Sequence, residues 1–208
     1  MDDNHFILIG DITDIPPHNH QEYLKILKTL ISSCSHKYKS SLHSPYSLTI
    51  DHEFMGIPSS LKTAIDSLFY FEETMKDWNI LFSLSYVVHL GEISTSLNKK
   101  TSIRLMGQGI SQAREMLITK KRSHPRILFH IRPKKLCEQL NRLFMVLDSL
   151  ISGWNQKDYP LISEMLKNEN NEEVAIKYRK NRSQIWKRRK TLKISEYKAL
   201  KQVILEMV

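Results

Sequence analysis

The feature that most restricts this chain is a change of period. Up to about residue 131, short apolar runs of strand character are interleaved with stretches whose apolar residues recur every three or four positions. After Pro133 the strand-like runs stop and only the helical period remains. Phe6-Ile7-Leu8-Ile9, closed by Gly10-Asp11, reads as a short buried strand ending in a turn. Pro16-Pro17 breaks the chain before residues 20–39, where Tyr23, Leu24, Ile26, Leu27, Leu30 and Ile31 repeat at helical spacing. Residues 46–50 alternate as a half-buried strand. Residues 53–56 continue it after a tight turn near Asp51-His52, which predicts a hairpin.

Ser59-Ser60 can cap a helix running to about Lys76, with Leu61, Ile65, Leu68, Phe69 and Met75 on its inner side. Residues 80–90 read as one long strand ending at Gly91-Glu92. A helix from Ser111 to about Thr119 and a further strand over 125–131 come next. Beyond that the spacing predicts helices over 133–152, 157–167, 172–180, 183–190 and 194–206. Strands alternating with helices give a sheet with helices packed on it, an α/β (α+β) fold. The order strand–helix–hairpin–helix–strand fits a ferredoxin-like or palm-type domain over 1–132, followed by an all-helical module over 133–208. Only 6 Gly and 7 Pro occur, so long flexible linkers are not expected.

Charge separates the same two parts. Residues 1–118 carry 10 Lys and Arg against 13 Asp and Glu, whereas residues 119–208 carry 21 against 9. A polyanion meeting the C-terminal part is one reading of this split, and helices with solvated lysine faces are the other. Cys34 and Cys137 lie far apart without a metal-type spacing and are read as reduced thiols. The N-terminal apolar run of four residues makes neither a signal peptide nor a membrane span, so a cytoplasmic location is expected.

Several short motifs occur in a definite order. Ile7-Leu8-Ile9-Gly10-Asp11-Ile12-Thr13-Asp14 resembles the "IGD" opening of the SatD family of bacterial proteins, and Thr49-Ile50-Asp51-His52-Glu53-Phe54-Met55-Gly56 sits where that family shows a T-x-G-D-E-F-Q-G hairpin. Gly91-Glu92-Ile93-Ser94-Thr95 resembles its "GEIST" segment. Ser102-Ile103, Gly107 and Ala113-Arg114-Glu115 resemble its next block. The resemblance covers roughly residues 6–118 and implies a link to stress tolerance. It also implies an N-terminal half similar in layout to nucleotide cyclase and GGDEF-type palm domains. In those, an aspartate after the first strand and an acidic hairpin hold a divalent metal on a nucleoside triphosphate.

The departures from that pattern matter chemically. Aligned on Glu53-Phe54, the hairpin aspartate falls on His52, so a kept register leaves one aspartate, Asp11, and one histidine. Mg²⁺ prefers carboxylates and water, so the cofactor stays open, with Mn²⁺, Zn²⁺ or no metal as the alternatives. Asp11, His52 and Glu92 form the candidate ligand cleft. No catalytic residue is assigned, and a non-catalytic, ligand-sensing or dimerising domain is preferred over a metal-dependent nucleotide enzyme or an interaction-only protein. Gly107-Gln108-Gly109 before a helix reads as a phosphate cradle or as backbone relief.

Residues 172–190 look like a helix-turn-helix. Ala175 is the small residue at the helix crossing, Ser183 can cap the second helix and Ile185 faces the core. Eight of the fourteen residues in 177–190 are Lys or Arg. The turn lacks the usual glycine and offers Arg179, Lys180 or Asn181, and Trp186 is expected to plug the helical core in preference to lying on the surface as a stacking platform. Arg182, Gln184, Lys187, Arg188 and Arg189 are the candidate nucleic-acid residues, with DNA the expected partner. The preferred function is a cytoplasmic regulator whose N-terminal domain dimerises or senses a ligand.

Overall fold

A computed structural model describes residues 4–13, 20–49, 52–120 and 125–208. Pro16-Pro17 and the hairpin residues Ile50 and Asp51 lie outside them. In the sheet half, β1 (Asn4–Ile12), α1 (His20–Lys37), β2 (Leu42–Leu48), β3 (Phe54–Pro58) and α2 (Leu61–Asp77) come first. They are followed by β4 (Leu84–Glu92), α3 (Gln108–Lys120) and β5 (Ile127–His130). The helical half holds α4 (Lys134–Ser152), α5 (Tyr159–Lys167), α6 (Asn171–Lys177), α7 (Arg182–Thr191) and α8 (Ile194–Glu206).

The sheet runs β2-β3-β1-β4-β5. The first four strands in that order pair antiparallel, and β5 lies parallel to β4. The antiparallel part has the ferredoxin-like order, and β5 extends it by one parallel strand joined through α3. β1 is buried on both faces, which explains an uninterrupted apolar run at its centre. Leu8 and Ile12 face the core built with α1 and α2, whereas Ile7 and Ile9 face a smaller core under Ile110, Ala113 and Leu117 of α3.

Local chemistry sets most boundaries. The Ser60 hydroxyl accepts the Thr63 N–H at 3.1 Å and caps α2 as expected. The strand expected over 80–90 starts only at Leu84, because Leu84 opposes Ile12, the last paired residue of β1. Ile80 and Phe82 are buried without joining the sheet. α3 begins at Gln108, three residues earlier than its spacing suggested. Its start rests directly on the end of β4: a Cβ on Gly109 would lie 2.6 Å from the Gly91 carbonyl carbon. Gly107 holds φ +157° beside the Glu92 carbonyl. The glycines serve close backbone approach here.

The helical half packs on the α2 side of the sheet. One core cluster runs from Leu8 in β1 through Phe129 and Phe144 to Tyr197 and Ile204 in α8. Trp154 donates its indole N–H to the Leu192 carbonyl at 2.8 Å. Between the two halves, Arg126 at the foot of β5 donates to Glu72 (2.8 and 3.1 Å), to Asp148 of α4 (2.8 Å) and to the Leu84 carbonyl (2.7 Å). Tyr86 donates to Glu72 at 3.0 Å. No helix among the described residues is long and apolar enough to cross a membrane.

Candidate functional site

The sheet ends place the three candidate cleft residues. Asp11 opposes Ser85 near the start of β4, and Glu92 opposes Asn4 at its other end. Seven residues of extended chain separate Ser85 from Glu92, roughly 23 Å. Asp11 and Glu92 therefore belong to opposite ends of the sheet and do not form one cleft.

At the Asp11 end, strand alternation corrects the expected partner. Phe54 faces the α1–α2 core, so Glu53 and Met55 turn toward α3. Asp11, between Gly10 and the core residue Ile12, turns to that side as well. Among the described hairpin residues, the carboxylate sharing a face with Asp11 is thus Glu53, whereas His52 sits in the turn. Arg114 of α3 donates its Nε–H to both Glu53 oxygens, at 2.9 and 3.2 Å, and the Thr49 hydroxyl donates to the same carboxylate. A carboxylate already held by a guanidinium is a poor ligand for a divalent cation. No group of three or more His, Cys, Asp or Glu that could hold a metal occurs among the described residues. Among the described residues, the donor set here does not fit a palm-type metal pair.

The second candidate lies on α6 and α7. Asn170 caps α6 through the Glu172 and Glu173 amides, and a turn over Tyr178–Asn181 leads into α7. Ala175 is 2% exposed and Ile185 fully buried, which brings the two helices together. Arg179 takes the left-handed backbone, φ +52°, where the turn lacks a glycine. Asn181 caps α7, not Ser183. Its side chain accepts the Gln184 N–H at 2.8 Å, and the Gln184 side chain accepts the Asn181 N–H at 3.0 Å.

That geometry divides the five candidate nucleic-acid residues. Arg189 donates to Asn171 Oδ1 (2.9 Å) and to the Met165 (2.9 Å) and Asn168 (2.8 Å) carbonyls. Arg188 pairs with Asp158 at 2.5 Å. Both are spent on the fold, and Gln184 on the cap. Arg182 and Lys187 are exposed and make no ion pair among the described residues.

Trp186 corrects an expectation: it is 47% exposed, because Ile185 takes the core position and the next residue lies 100° around the helix. Lys190 lies over its ring at 4.2 Å. Arg182, Trp186 and Lys190 thus form one outward row, with Ser183 and Lys187 beside it. Trp186 and Lys190 were absent from the sequence assignment, although their spacing of four and eight from Arg182 was legible.

A ferredoxin-like sheet widened by one parallel strand, carrying a basic helical half on its α2 side, is the class of protein these observations define. Within that class the chain belongs to the SatD family, which it matches over residues 5–208. A search of the curated proteins finds no match.

Proposed function

We propose that the protein is a cytoplasmic DNA-binding regulator, with α6, the following turn and α7 acting as a helix-turn-helix. The sheet half serves as a non-catalytic platform. The observation that carries this reading is the outward row Arg182, Trp186 and Lys190 with Lys187 beside it. Its cations have no carboxylate partner within the described residues, on a helix whose other basic residues are turned inward. Exposed cations on a short, capped helix suit phosphate contacts, and an exposed indole suits apolar contact with a base edge. Ala175 and Ile185 inside, with a left-handed residue between the helices, suit the same unit.

Fluorescence anisotropy of the full chain on random-sequence duplex DNA, titrated with salt, tests it. The triple variant Arg182→Ala, Lys187→Ala, Lys190→Ala should bind more weakly and lose about one unit of salt slope per phosphate contact removed. Unchanged affinity and slope would sink the assignment. Regulation is tested separately, by selecting a preferred site from random duplexes. Recovery of no sequence at all would leave a non-specific binder.

A further inference from the structure

A cavity of about 710 Å³ opens at the carboxyl ends of β4 and β5, and neither Asp11 nor any residue of α7 lines it. β4, α3 and β5 make a parallel crossover. The crevice beyond the carboxyl ends of parallel strands is where the connections part and leave room for a ligand.

Two imidazoles lie at this crevice. His89 and His130 are register partners on the two strands, stacked with ring centroids 5.0 Å apart and 22° between planes. His89 is 2% exposed, a polar ring on the face that otherwise packs under α3. Its Nε2 lies 3.2 Å from Gln112 Oε1, and its Nδ1 lies 3.1 Å from the His130 carbonyl oxygen and 3.0 Å from His130 Nδ1. The carbonyl contact requires this nitrogen to donate, whereas the contact between the two Nδ1 atoms is served by a proton on either ring. The nitrogen can donate to the carbonyl or accept from His130, and one imidazole cannot do both at once. Burial, ahead of the hydrogen bonds that oppose it, lowers the His89 pKa and keeps the ring neutral. With its proton on Nε2, His89 donates to Gln112 and accepts from His130 Nδ1; with its proton on Nδ1, it donates to the His130 carbonyl. The other His130 nitrogen, Nε2, then has no partner among the described residues.

Charge is arranged at the same place. Arg132 and Lys134 line the cavity. α4 starts behind Pro133 with no side-chain cap and no acidic residue in its first turn. Positive side chains stand where the helix dipole is already positive, the reverse of the usual preference. The lining carboxylate Glu138 is answered by Lys134 at 3.9 Å and Arg142 at 3.8 Å. Glu92, on the β4 lip, makes no ion pair among the described residues and can accept hydroxyl protons.

We infer that this cavity binds a small hydroxylated phosphate monoester. The phosphate lies against Arg132, Lys134 and His130, and its hydroxyl groups meet Gln112 and Glu92. No residue of α7 takes part, so this inference and the DNA-binding reading stand or fall separately.

Histidine-ring NMR of the full chain, titrated with glycerol 3-phosphate, inorganic phosphate and glycerol, tests it. The His130 and His89 ring signals should shift saturably with glycerol 3-phosphate, less readily with inorganic phosphate, and not with glycerol. Arg132→Ala should weaken binding about tenfold or more, as loss of a charge-assisted contact does. Lys134→Ala gives a second reading should that variant fold poorly, and Lys157→Ala, at an exposed lysine outside the cavity lining, should leave the titration unchanged. Absence of a saturable shift with glycerol 3-phosphate, or affinity unchanged from the parent in both cavity variants, would overturn the inference.

Discussion

Arg189 in the last turn of α7 donates to Asn171 Oδ1, the first residue of α6, at 2.9 Å, and its two other donors close carbonyls at the end of α5. One guanidinium thus satisfies helix-end acceptors that would otherwise need water. Arg189→Ala should cost about 2–3 kcal/mol of stability, the scale for losing hydrogen bonds from a charged donor. Lys187→Ala, two residues earlier and exposed, should stay within about 0.5 kcal/mol of the parent. Urea unfolding of the two variants checks this. Equal midpoints would contradict the inward placement of Arg189.

The turn before α7 makes a different prediction. Arg179 holds φ +52° without being glycine, and a left-handed residue with a side chain is disfavoured by roughly 1–2 kcal/mol. Arg179→Gly removes that strain while adding chain entropy to the unfolded state, so a net gain of about 0.5–1 kcal/mol is expected. The same variant removes one exposed cation beside the basic row. DNA affinity should therefore fall while the unfolding midpoint rises, and a fall in both would show that the side chain supports the turn.

The uneven legibility of the molecule has physical causes. Helices α4, α5 and α8 are readable because each carries its own apolar period, and α2 because Ser60 caps it locally, whereas α7 buries only Ile185 and is marked by its basic run and by the capping residue before it. Ile80 and Phe82 suggested a longer β4 because apolar residues record burial, not pairing. Lys187, Arg188 and Arg189 are alike as text. Only the fold brings Asp158 and the α5 carbonyls to two of them. Asp11 and Glu92 looked like one cleft because strand order and direction are not written locally, and the antiparallel β1–β4 pair puts them at opposite ends. The His89–His130 pair needs register across 41 residues, which no local pattern carries.

The two cysteines should differ sharply in reactivity. Cys34 is buried in the α1–α2 core, and burial pushes its thiol up to about 12, so it stays a thiol at neutral pH. Cys137 is half-buried, with its thiol donating to the Phe129 carbonyl. Native-state alkylation read by mass spectrometry should label Cys137 first and Cys34 only on unfolding. Early labelling of Cys34 would mean that the α1 core opens readily.

The last prediction concerns the ion cluster that joins the two halves. Burial alone would raise the Glu72 carboxyl pKa, but Arg126 and Lys76, with hydrogen bonds from Arg126 and Tyr86, outweigh it and hold it below its ordinary value. A carboxyl whose folded pKa is depressed contributes stability above its unfolded pKa of about 4.3. That contribution is lost as pH falls below about 4.3 toward the folded pKa. Glu72→Gln removes one of the carboxylates that answer the Arg126 guanidinium in a buried site. It should cost about 3–5 kcal/mol at neutral pH, the scale for breaking a buried pair from one side. Because the variant has no carboxyl to protonate, the gap between it and the parent should narrow as pH is lowered through the carboxylate range. Asp77, held below its ordinary pKa chiefly by its hydrogen bonds with Lys167 and Ser163, is common to both proteins and cancels in the comparison. Urea unfolding of the pair at neutral pH and again below about pH 4 decides it. A gap independent of pH would mean that Glu72 is not ionised in the folded protein, and that Arg126 is held by Asp148 and the Leu84 carbonyl without its help.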